Sequence, residues 1–293
     1  MVIVIVGPTG VGKTKLSVSL AHKLNGEIIN ADSTQIYKGL DIATAKVREE
    51  EKEGIPHHLF DIKDINEDYT VYDYQKDARR KIDEILKKNK TPIIVGGTNL
   101  YIEACLYNYE FNSEDAHRDY SEYNDSELYN MLLEVDPNTT IHQNNRKRVE
   151  RALDYYYNNK MPMSEKENDR KLLYDAIFIG LTTDRKTLYE RINNRVDKMV
   201  ERGLIDEAKK IYESNIRTKA VLTPIGYKEL FPYFEGEKIE VCLDKIKQNS
   251  RRYAKRQYTW LNNKMDVTWF NVDFDNFDNT VNDVLEYLYN NCK

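Results

Sequence analysis

The first hydrophobic run of the chain, Val2-Ile3-Val4-Ile5-Val6, contains no polar position. A half-buried strand would alternate apolar and polar residues, so an unbroken β-branched run predicts a central parallel strand covered on both faces. It passes directly into a glycine loop over 7–14. Apolar residues then return at helical spacing (Leu16, Leu20, Leu24), which predicts a helix over 15–24. A second short run, 27–31, reads as a strand. Ala78, Ile82, Ile85 and Leu86 set a helix over 72–88, Thr91-Pro92 breaks it, and Ile93-Ile94-Val95 predicts a third strand ending in Gly96-Gly97. Strand, helix, strand, helix, strand implies a parallel sheet with right-handed crossovers.

The texture changes after Tyr107. Residues 108–127 are polar, acidic and rich in tyrosine, without a clear period. Helices are predicted over 126–135, stopped by Asp136-Pro137, and over 144–158, with a further core strand at 176–181. Long helices follow at 185–202, 204–214 and 243–262, with Gly203 as a helix C-cap. The expected domain plan has a core over 1–110, completed by about 138–190 and about 245–293. Residues of about 111–137 and about 191–244 form a smaller, mainly helical insertion.

Composition adds exclusions. With 293 residues, 40% hydrophobic and 32% charged, the chain suits one large domain or a core carrying an insert. No stretch approaches the roughly 20 apolar residues of a membrane span. The apolar N-terminal run is too short for a signal peptide, so the expected location is the cytoplasm. Cys105, Cys242 and Cys292 form no C-x-x-C pair, which argues against a zinc site and a disulfide framework. A net charge of -5 argues against nucleic acid on average, but binding needs only a local basic surface.

The candidate chemistry starts in the glycine loop. Gly7-Pro8-Thr9-Gly10-Val11-Gly12-Lys13-Thr14 fits G-x-x-x-x-G-K-[ST]. Such a loop, of the nucleotide-binding and ATP-binding kind, curls its N–H groups around phosphate oxygens. Lys13 adds a cation, Thr14 can ligate Mg²⁺, and the helix N-terminus favours negative charge. The fold class is therefore α/β, a P-loop NTPase-like parallel sheet flanked by helices, with a smaller helical insertion. The second strand ends in Asp32-Ser33-Thr34-Gln35 and the third in Gly96-Gly97-Thr98. Carboxyl ends of parallel strands share one edge, so these residues should face the P-loop crevice. There Asp32 could accept a proton, or alternatively cap a helix. Gln35 carries an amide able to pair with an adenine edge. The third strand ends in glycine with no Mg²⁺-holding carboxylate, which weakens a kinase reading. Two basic tracts complete the set: Arg146, Lys147, Arg148 and Arg151, then Arg251, Arg252, Lys255 and Arg256 among aromatics. Either could hold RNA phosphates, or could be a solvated helix face.

Together these segments resemble the bacterial-type tRNA dimethylallyltransferases (tRNA isopentenyltransferases). The matching pieces are GPTGVGKT (7–14), DSTQIY (32–37), TAK (44–46), HHLFD (57–61) and GGTNLY (96–101). They continue with NNRKRVERALD (144–154), RINNRVDKMVERGL (191–204), IGYKEL (225–230) and RRYAKRQYTW (251–260). Two departures stand out: the family usually has I-G-T-A-K-P where this chain has Ile42-Ala43-Thr44-Ala45-Lys46-Val47, and residues 108–125 match it poorly. The chain is expected to act as a monomer, and the resemblance implies that it moves a dimethylallyl group from dimethylallyl diphosphate to N6 of the adenine 3′ of the anticodon. It implies that 7–14 hold the diphosphate and that Lys13, with Mg²⁺ on Thr14, neutralises it as it leaves. Asp32 would be the base, and Ser33, Thr34, Gln35 and Thr98 would place the adenine. Arg146, Lys147, Arg148, Arg251, Arg252, Lys255 and Arg256 would hold the anticodon stem-loop. Three other readings are open at this point: a small-molecule kinase, a prenyltransferase of free AMP or ADP, and an RNA-binding module without chemistry.

Overall fold

A computed structural model of the chain describes residues 1–109, 117–166 and 170–291; Cys292 lies outside them. The unbroken apolar run is β1 (Val2–Val6), buried at every position. The glycine loop leads to α1 (Lys13–Lys23), and the chain returns as β2 (Gly26–Asn30). A short helix α2 (Glu49–Lys52) and a two-residue strand β3 (His57–His58) precede α3 (Val71–Lys87), β4 (Thr91–Val95) and α4 (Asn99–Leu106). Next come α5 (Asp125–Val135), α6 (Arg146–Asn159) and β5 (Ala176–Thr182). The helices α7 (Arg185–Glu201), α8 (Leu204–Glu213), α9 (Lys219–Leu222), α10 (Tyr227–Phe234) and α11 (Ile239–Lys264) follow, then β6 (Thr268–Asn271) and α12 (Phe277–Asn291).

The six strands are all parallel, in the order β3-β2-β4-β1-β5-β6. β1 sits between β4 and β5, with Ile3 level with Ile93 and Ile177. Pleating explains why its sequence has no polar position. Val2, Val4 and Val6 pack into one layer with residues of α3, α8 and α10, while Ile3 and Ile5 pack into the other with α1 and α12. Burying each such side chain contributes about 1.5–3 kcal/mol, so a polar residue on either face would forfeit it. α7 gives Leu188 and Ile192 to the second layer and Val196 and Met199 to the first. It therefore passes over an edge of the sheet, and Ile192 lies 3.5 Å from where a Cβ on Gly10 would sit. That edge is the one carrying the P-loop.

The chain divides into a larger unit, Met1–Tyr109 with Leu172–Lys293, and a smaller one, Glu110–Lys171. This differs from the plan expected from sequence in two places. The helices between 191 and 244 belong to the larger unit, because Val196, Leu204, Ala208, Tyr227 and Leu230 share one core with β1. Residues 138–171 belong to the smaller one, because Val149, Ala152 and Leu153 of α6 pack with Tyr120 and with Leu128 and Leu132 of α5. No helix among the described residues is long and apolar enough to cross a membrane.

Candidate active site

The P-loop depends on its glycines. Gly7, Gly10 and Gly12 adopt φ of +136°, +83° and +108°, closed in practice to side-chain-bearing residues. A Cβ on Gly7 would also lie 2.6 Å from the Leu181 carbonyl oxygen. Val11 is fully buried in the α1 layer and anchors the loop, and Pro8 is buried as well. The Lys13 ammonium donates to the Gly7 and Pro8 carbonyls, both at 2.9 Å. Burial and then the neighbouring Arg195 push its pKa down to about 7, against the opposite pull of Asp32. Arg195 donates to Thr9 Oγ1 at 2.8 Å. Arg191 donates to the Gly10 carbonyl at 3.1 Å and lies over the Phe274 ring, 3.8 Å from its centroid. Three cations thus surround the loop. Neither Arg191 nor Arg195 of α7 stands out in the sequence; the signal is their spacing of four residues, which puts both on one helix face.

Asp32 stands just past β2 at the same edge. Its Oδ1 accepts from the Thr34 N–H (3.0 Å) and Thr34 Oγ1 (2.7 Å), capping a turn over 33–36 in place of a helix. Its backbone is held as well: its N–H donates to Asn30 Oδ1 at 2.8 Å, and Asn30 Nδ2 donates to its carbonyl at 3.0 Å. Oδ2 faces Gly97, 3.4 Å from where a Cβ there would sit. Thr98 Oγ1 accepts the Ser33 N–H at 2.9 Å and meets Ser33 Oγ at 3.1 Å, joining the ends of β2 and β4.

α11 closes the arrangement. Gln257, almost wholly buried, accepts the Thr9 N–H at 3.0 Å and donates to the Gly97 carbonyl at 3.0 Å. Tyr253 donates to the same carbonyl at 2.9 Å. One amide therefore bridges the P-loop and the Gly97 turn. Neither residue was singled out from sequence, because both sit inside a tract that reads as basic. Gln35 departs from expectation: its amide donates to the Thr44 and Ala45 carbonyls at 3.0 and 3.5 Å. The donors expected to meet an adenine hold the loop over 41–47 instead.

A cleft of about 860 Å³ opens at this edge, lined by Lys13, Thr14, Asp32, Arg195, Tyr253 and Arg256 among others. For a metal, the described residues hold no group of three or more His, Cys, Asp or Glu side chains able to bind one alone. The hydroxyl of exposed Thr14 is a hard oxygen donor beside the phosphate loop. Mg²⁺ is ordinarily held by one or two protein oxygens, substrate phosphates and water. The donor set fits an ion arriving with a diphosphate.

The basic tracts divide. On α11, Arg251 is tied to Asn193 Oδ1 at 2.6 Å, while Arg252, Lys255 and Arg256 are exposed and Arg256 reaches the cleft. On α6, Arg146 donates to Glu150 (2.7 Å), Asp125 (2.9 Å) and the Tyr120 and Tyr123 carbonyls (2.7 and 2.9 Å). Its guanidinium is occupied in tying α5 to α6, contrary to its expected role as a phosphate contact. Lys147 and Arg148 are exposed.

A six-stranded parallel sheet flanked by helices, with a glycine loop after its central strand, cations around that loop and a carboxylate at a neighbouring strand end, defines an α/β protein of the P-loop architecture. Comparison with known proteins narrows the class. Residues 35–264 match the model of the IPP transferase family, and the chain belongs to that family. It is 50% identical to a tRNA dimethylallyltransferase of Anoxybacillus flavithermus, over 98% of this chain and 96% of the relative. It is similar to the crystal structure of a full-length tRNA isopentenylpyrophosphate transferase of Bacillus halodurans, with TM-score 0.76, 44% identity, and 99% and 95% of the two chains covered. A eukaryotic dimethylallyltransferase acting on tRNA superposes with TM-score 0.86 at 33% identity, covering 99% of this chain and 78% of that one.

Proposed function

We propose that the chain transfers a dimethylallyl group from dimethylallyl diphosphate to N6 of the adenosine 3′-adjacent to the anticodon in tRNA, releasing diphosphate. The observation that carries this is the division of labour along one sheet edge. Lys13, Arg191 and Arg195 gather at the P-loop, and Asp32, its Oδ1 accepting from Thr34, lines the cleft at a neighbouring strand end. Cations aimed at a leaving group stabilise the charge that develops there. The donor's C–O bond breaks as the N6–C bond forms, and the N6 proton passes to Asp32 Oδ2. The exocyclic amine is a weak nucleophile because its lone pair is delocalised into the ring, so a positioned base matters. Thr14 would hold Mg²⁺, which supplies further neutralisation of the diphosphate. Ser33, Thr34 and Thr98 fix the Asp32 turn and the Gly97 strand end against which the base would lie.

An anticodon-loop adenine must leave its stack to reach such a cleft. Lys147, Arg148, Arg252, Lys255 and Arg256 are the exposed cations proposed to hold the RNA backbone. The acting species in this reading is a monomer in the cytoplasm, where tRNA is found. The test is incubation with Mg²⁺, labelled dimethylallyl diphosphate and unmodified tRNA, with AMP and ATP as competitors. Label in tRNA supports the proposal. Label in AMP, or phosphate release from ATP, replaces it with a free-nucleotide prenyltransferase or a kinase.

A further inference from the structure

The loop over 41–47 supplies one wall of the cleft, with Ala43, Thr44, Ala45, Lys46 and Val47 all lining it. Its own sequence does little to hold its shape: the family's usual glycine and proline are absent, and Ala45 sits at φ +47°. One carboxylate from outside the loop holds its first three residues, while the Gln35 amide and Lys46 tie down the rest. Glu207, in the first turn of α8, accepts the N–H groups of three successive residues. Asp41 N lies 3.1 Å from Oε2, Ile42 N 3.0 Å from each oxygen, and Ala43 N 3.1 Å from Oε1. Convergent backbone N–H groups form an anion-binding nest, and here a side chain of the same molecule fills it.

Both sides of this contact are braced. The buried Tyr227 donates to Glu207 Oε1 at 2.7 Å. Gly226 backs the loop so closely that a Cβ there would lie 2.8 Å from the Ala43 Cβ. From the loop the connection runs to the catalytic edge, through the Thr44 and Ala45 carbonyls to the amide of Gln35, three residues after Asp32. Buried Lys46 then spans Asp41 (2.6 Å), Asp61 (2.5 Å) and the Tyr37 carbonyl (2.7 Å). Glu207 itself does not line the cleft.

We infer that Glu207 is a positioning residue for the transfer reaction: by filling the nest it fixes the 41–47 wall of the cleft and, through the Gln35 amide, the turn that carries Asp32, without touching base or donor. The inference deepens the prenyl-transfer reading and rests on it. Glu207→Gln keeps one acceptor oxygen but turns an NH₂ toward the N–H groups, and Tyr227→Phe removes the brace alone. In the full chain, hydrogen exchange of the amides of 41–43 should quicken by about tenfold or more in Glu207→Gln, since their protection rests on those bonds. Prenyl transfer to tRNA should lose about 10- to 100-fold in kcat, the scale of a roughly 1 Å misplacement, while KM for dimethylallyl diphosphate holds. Tyr227→Phe should move both readings the same way by less, and serves where Glu207→Gln does not accumulate. Unchanged exchange at 41–43 overturns the structural half. Faster exchange with unchanged kcat, or a parallel rise in donor KM, overturns the positioning role. A wild type that transfers nothing to tRNA removes the prenyl-transfer reading and the positioning role with it, while exchange still reports whether Glu207 holds the loop.

Discussion

Diphosphate binding to this molecule should take up a proton at Lys13. The Lys13 ammonium rests on two loop carbonyls, and burial and Arg195 bring its pKa down to about 7. A diphosphate beside Nζ adds opposite charge and raises that pKa. Binding therefore selects the protonated form. Above pH 7 the free protein must first regain the proton, so affinity falls as pH rises until the pKa of the complex is reached. For one proton the loss approaches tenfold per pH unit, which makes Kd roughly 50-fold weaker at about pH 9 than at about pH 7. Arg195 contributes nothing to the slope, because a guanidinium keeps its proton throughout this range. Calorimetry with dimethylallyl diphosphate at fixed Mg²⁺, in buffers of different ionisation enthalpy, measures the uptake directly. Lys13→Met should bind more weakly and lose the slope, which also subtracts any ionisation of the donor. A wild-type Kd that is flat across that range, with no proton uptake, would refute the reasoning.

Other consequences follow from single contacts. Gln257→Leu leaves the Thr9 N–H without its partner, an unpaired donor that costs about 1–3 kcal/mol. Calorimetric melting should show Tm lower by several degrees, and an unchanged Tm would show that the bridge is idle. Glu27, nearly buried at the start of β2, sits against Lys90 (2.8 Å) and His58 (2.7 Å). Burial pushes its pKa up, but the bonds from Lys90 and His58 and the charge of Lys88 outweigh it and bring the value to about 2. A depressed carboxylate contributes stability that is complete above its ordinary value of 4.5 and is lost as pH falls toward 2. Urea unfolding of Glu27→Gln should therefore show a weaker dependence on pH across that window than wild type does.

How far the sequence carries can be seen residue by residue. The strands β1, β4 and β5 were legible from runs of apolar residues, and β2 from Ile28-Ile29 between Glu27 and Asn30. β3 was not, since two histidines at a sheet edge carry no hydrophobic signal, and neither was β6, a four-residue edge strand with three half-buried residues and an exposed Asn271. The P-loop and Asp32 were legible because a motif and the strand-end rule locate them without side-chain detail. Arg195, Gln257 and Glu207 were not, because each acts on a loop far away in sequence: 186 residues for Arg195 to Thr9 and 248 for Gln257 to Thr9. Gln35 shows the reverse error. Its chemistry suits an adenine edge, but packing assigns its donors to Thr44 and Ala45. Arg146 was read as an RNA contact because charge runs do not show which carboxylates and carbonyls lie within reach.

The most direct measurement is single-turnover transfer from dimethylallyl diphosphate to tRNA by wild type and Asp32→Asn, with tRNA affinity measured alongside. The substitution keeps an oxygen for Thr34 and removes the proton acceptor. The rate should fall by about 10²-fold or more with tRNA Kd unchanged, as expected for loss of a general base. A rate within a factor of about three of wild type would contradict the assignment of Asp32 and, with it, the chemistry proposed for this edge of the sheet.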